Sequence, residues 1–68
     1  MKESKIKFIR EYASYKHTWY EIIYKSGRII TLPDEDIPKT AREYITNATR
    51  REEQYNSIFN RHEVIHMA

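Results

Sequence analysis

The stretch Trp19-Tyr20-Glu21-Ile22-Ile23-Tyr24-Lys25-Ser26-Gly27-Arg28-Ile29-Ile30-Thr31-Leu32-Pro33 places two β-branched and aromatic runs around the only glycine in the chain. That is the pattern of a β-hairpin. Amphipathicity selects its register. A two-residue loop Ser26-Gly27 would set Lys25 opposite Arg28 and mix polar with apolar side chains on both faces. A three-residue loop Lys25-Ser26-Gly27, a type I turn closed by a left-handed Gly27 and a bulge, pairs Tyr24 with Arg28 and Ile22 with Ile30. Tyr20, Ile22, Tyr24, Ile30 and Leu32 then share one face, while Trp19, Glu21, Ile23, Ile29 and Thr31 share the other. A slip of one residue would exchange the faces, so the bulged register is the expected one.

Upstream, Lys5-Ile6-Lys7-Phe8 alternates and predicts a strand reaching about Tyr12, although Ile9 breaks the period. The alternative is a short helix with Ile6, Ile9 and Ala13 on one side. Residues 13–17 form the loop into the hairpin, and a third strand gives the sheet neighbours that a lone hairpin lacks. Downstream, Pro33 ends the third strand because it has no amide hydrogen for the ladder. Asp34-Glu35-Asp36 then supplies negative charge to a helix start, with Asp36 as N-cap and Pro38 in the first turn. Ala41, Tyr44, Ile45, Ala48, Tyr55, Ile58 and Phe59 line one side of a helix from about Ile37 to Arg61. The polar run Thr49-Arg50-Arg51-Glu52-Glu53-Gln54 divides it. The expected fold is therefore α+β: a small three-stranded antiparallel meander followed by one long C-terminal helix or two. Residues 62–68 are expected as a frayed tail or helix end of this single small domain.

At 68 residues the core is marginal, and no cysteine is present to staple it. No apolar run is long enough to cross a bilayer, and the first residues lack a signal-peptide hydrophobic region, so a cytoplasmic protein without membrane contact is expected. The formal charge of +2 is uneven. Residues 1–31 hold seven basic and three acidic side chains, and residues 32–68 hold five basic and seven acidic ones. The sheet half is basic, which favours an anionic partner there.

Four features bear on chemistry. His62-Glu63-Val64-Ile65-His66 matches H-E-x-x-H, which on a helix puts both imidazoles on one face. No third ligand follows, so no metal is assigned to His62 and His66, and no cofactor is expected. Lys5, Lys7, Arg10, Lys16, Lys25 and Arg28 are interleaved with aromatic residues and make a nucleic-acid platform the alternative reading of the sheet. Arg50-Arg51-Glu52-Glu53 reads as a solvated helix face with local ion pairs. Asp34-Glu35-Asp36 reads as helix capping rather than a cation site. No nucleophile sits beside a recognisable base and no glycine-rich phosphate loop exists, so an enzyme is not expected.

Rich in Ile, Lys and Tyr and poor in Gly and Pro, the chain resembles in composition and size the small orphan proteins of phages and mobile elements from AT-rich bacteria. That resemblance implies action by occluding a host protein, such as a defence or nucleic-acid-processing factor. The leading expectation is a non-enzymatic binding protein that contacts a protein partner through Tyr15, Trp19, Tyr55, Ile58, Phe59 and Arg61, with self-association as a further expectation. A small DNA- or RNA-binding regulator is the alternative.

Overall fold

The computed structural model describes residues 5–56 and 61–68. Strands β1 (Ile6–Ala13), β2 (Thr18–Tyr24) and β3 (Ile29–Pro33) are followed by a 3₁₀ turn (Asp34–Asp36), helix α1 (Lys39–Asn47) and strands β4 (Thr49–Asn56) and β5 (Arg61–Met67). All five strands form one antiparallel sheet in the order β3-β2-β1-β5-β4.

The β2–β3 hairpin has the bulged register. Ile22 faces Ile30 and Tyr20 faces Leu32. The Tyr24 amide donates to the Arg28 carbonyl at 2.9 Å, and the Gly27 amide donates to the Tyr24 carbonyl at 2.9 Å. Gly27 has φ +95°, the left-handed region that this turn demands and that a side chain resists.

Residues 6–13 are a strand, not a helix, and the broken period at Ile9 has a structural cause. The β1–β2 register shifts between Ile6 and Phe8. This bulge lets Ile6 and Ile9, three residues apart, point to the same side. Ile9 and Ile22 oppose each other and are fully buried. Burying a side chain of that size stabilises the fold by roughly 1.5 to 3 kcal/mol.

One face of the sheet is covered. Ile6, Ile9, Tyr20 and Ile22 pack with Ile37, Ala41 and Tyr44, and Tyr24, Leu32, Ile45 and Ala48 flank them. The hydroxyl of Tyr44 joins α1 to the sheet by donating to the Lys7 carbonyl at 2.9 Å and accepting the Ala68 amide at 3.0 Å. The carbonyl of the bulged segment is thus satisfied by the helix rather than by a neighbouring strand.

The expected three-stranded meander with a long C-terminal helix is not what forms. The periodic residues Ala41, Tyr44, Ile45 and Ala48 do belong to one helical face, but the helix stops at Asn47, and Ala48 is extended with φ −85° and ψ +158°. Beyond it, the polar run from Thr49 is strand β4, so Arg50 and Arg51 lie on a strand rather than a solvated helix face. The segment read as a tail or helix end is β5, paired with β1 on one side and β4 on the other. A helix carrying Tyr55 is excluded by the pairing of Tyr55 with His62; Ile58 and Phe59 lie outside the described residues. Asp36 caps nothing: Pro38 occupies the α1 N-cap with no side-chain cap. Asp34 instead holds Arg42, whose guanidinium donates to the Asp34 carbonyl at 2.8 Å and lies 3.6 Å from its carboxylate. Among the described residues, no helix is long and apolar enough to cross a membrane.

Candidate interaction surface

A sheet covered on one side leaves the other available, and the registers define which side chains lie there. Three rows cross the sheet on this open face. Thr31, Glu21, Arg10, Ile65 and Arg51 form the central row. Pro33, Trp19, Tyr12 and Glu63 lie toward the end where β1 finishes. Ile29, Ile23 and Phe8 lie toward the end where β1 starts, beside the β5–β4 pair Met67 and Thr49. Alternation along each strand sends these residues away from α1. Trp19 is 46% exposed, Ile29 58% and Met67 48%, whereas Ile22 and Val64 on the covered side are fully buried. A hollow of about 260 Å³ opens beside Met67, lined also by Thr49, Arg51, Ile65 and Ala68.

The charge at the centre of this face is internally balanced. Arg10 Nη1 donates to Glu21 Oε1 at 2.8 Å. Its Nε lies 3.3 Å from Glu63 Oε1, close enough for attraction but without hydrogen-bond geometry. A hydrogen bond with Tyr12 is the largest effect raising the guanidinium above its ordinary range; the charges of Glu21 and Glu63 reinforce it, and burial opposes them. Arg10 also sits over the Phe8 ring, 5.6 Å from its centre. Three antiparallel strands therefore converge on one cation with carboxylates on either side.

On the covered face, a second polar group is buried. His66 is only 4% exposed, and its Nε2 lies 2.9 Å from Glu11 Oε1. Its Nδ1 is buried without a hydrogen-bond partner. Tyr20 shares the Glu11 row; burial, and after it the negative charge of Glu11, push its phenol up to about 12.

The residues singled out in the sequence disperse. Tyr15 is exposed in the β1–β2 loop with the Lys16 ammonium 6.0 Å from its ring centre. Trp19 is on the open face, and Arg61 begins β5 opposite Asn56. Tyr55 is on β4, so it and Arg61 sit at the far end of the β4–β5 pair from Met67. The six basic residues split three ways. Lys5, Lys7, Lys25 and Arg28 gather where β1 starts and the β2–β3 hairpin turns; Arg10 is taken up by its carboxylates; and Lys16 is at the opposite end. His62 and His66 are four residues apart on a strand, about 13 Å at the usual rise, so the helical H-E-x-x-H geometry does not arise. Among the described residues, no group of three or more His, Asp or Glu side chains is placed to hold a metal ion.

Tyr12 was among the aromatic residues of the sheet that the sequence singled out, and it does lie on this face; Phe8, Ile65 and Met67 were missed as surface residues. The signal lay in the alternation of His62, Val64 and His66 with Glu63, Ile65 and Met67, which is a strand pattern with a polar residue at two inward positions. No family model, curated protein or solved structure matches the chain.

Proposed function

We propose that this chain is a small non-enzymatic binding protein whose partner is a protein surface, held on the open face of the sheet. The observation that carries this reading is the combination of exposed Trp19, Ile29 and Met67 with a central Arg10 already neutralised by Glu21 and Glu63. A face whose central cation is already held by carboxylates gains more by burying apolar area than by taking an ionic ligand. Its size is adequate. Five strands about 4.8 Å apart and about 20 Å long make a patch of some 500 Å² per partner, about 1,000 Å² in total, the size of a weak or transient protein contact. Trp19, Met67 and the hollow beside Met67 are the anchors such a contact would use. Occlusion of a host protein by an inhibitor, which the resemblance to small phage proteins implies, is one form such binding would take.

The test places a photoactivatable amino acid at position 23 or 29 in the native host and, as a control, at exposed position 43 on α1. The expected result is a protein crosslinked from the sheet positions only, whose binding is reproduced with purified components. Ile29→Asp with Met67→Asp should weaken that binding at least tenfold without lowering the melting temperature. Crosslinks from position 43 as strong as those from the sheet contradict the reading. A crosslink to a second copy alone makes the partner the chain itself.

A further inference from the structure

Four of the chain's cations converge at one end of the sheet and are left without carboxylate partners among the described residues. Lys5, Lys7, Lys25 and Arg28 are all exposed. The fold brings them together from two separate segments: the Lys25 amide donates to the Lys5 carbonyl at 2.9 Å, and the Arg28 carbonyl accepts from Tyr24 across the turn. The turn itself is narrow, since Ser26 and Gly27 at its tip have little or no side chain. The carboxylates whose side chains are described lie elsewhere. Glu11, Glu21 and Glu63 lie in the rows beyond Ile9, Asp34 to Asp36 follow β3 at the opposite end, and Glu43 is exposed on α1.

We infer that this end is a phosphate-backbone site for nucleic acid, bordering the protein-binding face at Ile29. Its chemistry is that of positioning contacts, not base readout. Bases are read by stacking on aromatic rings set among the cations. Here Tyr12 and Trp19 are in the row at the other end of the open face, with Glu21 and Glu63 beside them. The side chains next to the cluster are Ile23, Ile29 and Phe8 on the open face, where Phe8 is taken up by Arg10, and Tyr24 on the covered face, where its ring is half-buried against the core and taken up by packing. Flexible ammonium groups around a slim hairpin tip suit a regular array of phosphates, and the sequence of the nucleic acid is not read.

The experiment measures fluorescence anisotropy of labelled DNA and RNA duplexes of mixed sequence with the intact protein, from low to physiological salt. Binding is expected with a dissociation constant of about 10 µM at low salt, independent of sequence. The logarithm of affinity should fall against the logarithm of salt with a slope of about −3 to −4, as four phosphate contacts require. Lys25→Gln and Arg28→Gln should each flatten the slope by about one while leaving the melting temperature unchanged, since both residues are exposed. Trp19→Ala should leave nucleic-acid binding as it was. No binding at low salt overturns the proposal, as does an unaltered slope in the Lys5→Gln, Lys7→Gln, Lys25→Gln, Arg28→Gln protein. Competition by polyglutamate equal to that of unlabelled DNA at matched charge also overturns it, and assigns the cluster to acidic polypeptides.

Discussion

Two residues show how local demands are met in this chain. Gly27 is at φ +95°, and a Cβ built there meets no atom within 4 Å, so substitution costs backbone strain and no clash. Gly27→Val should therefore destabilise the fold by about 1 to 2 kcal/mol, while Gly27→Asn, whose side chain tolerates the left-handed region, should cost clearly less. Equal melting temperatures for Gly27→Val and wild type would remove the turn assignment. Tyr20 supplies a pH test. Its phenol ionises at about 12 in the folded state against 10.0 ordinarily, because burial and Glu11 both oppose the phenolate. The folded state thus holds the proton more tightly, so stability is level below about pH 10 and declines as pH rises toward 12, by roughly 2 kcal/mol for this group. The fall in urea midpoint between pH 10 and 12 should be smaller in Tyr20→Phe than in wild type; parallel declines would show that Tyr20 does not contribute.

The β2–β3 hairpin was legible in the sequence because its pairing is local: Ile22 meets Ile30 across a short turn, and turn residue and alternation agree. The C-terminal half was not, because its identity depends on distant partners. Tyr44 and Ile45 have a true helical period, and nothing in the following polar run signals a strand until β5 is set against β1. His66 looks like a solvent-exposed tail residue until Glu11, 55 positions away, supplies its partner. The same gap explains the surface residues: Trp19 was visible as an outward aromatic of a hairpin, whereas Ile65 and Met67 become neighbours of Arg10 and Phe8 only through the β1–β5 register. Val64 decides the point experimentally. It is fully buried on β5, so Val64→Ala should cost about 2 kcal/mol in chemical denaturation. A variant as stable as wild type would return residues 61–67 to the status of a tail.

At the scale of the molecule, a five-stranded sheet carries one short helix on one face and leaves a partly apolar second face, its central Arg10 held by carboxylates. The mismatch in length explains the asymmetry. Nine residues of α1 span about 14 Å, while the eight residues of β1 span about 26 Å, so one helix covers the middle of one face. The residual apolar area on the other face is the energetic ground for the proposed binding of a partner. The most direct measurement is solution NMR of the dilute protein with a soluble paramagnetic probe, read at the Ile, Val, Met and Trp side chains. Ile29, Met67 and Trp19 should broaden strongly, while Ile9, Ile22 and Val64 remain sharp. Shielding of Ile29 and Met67 equal to that of Ile22 and Val64 at every dilution would contradict an open second face.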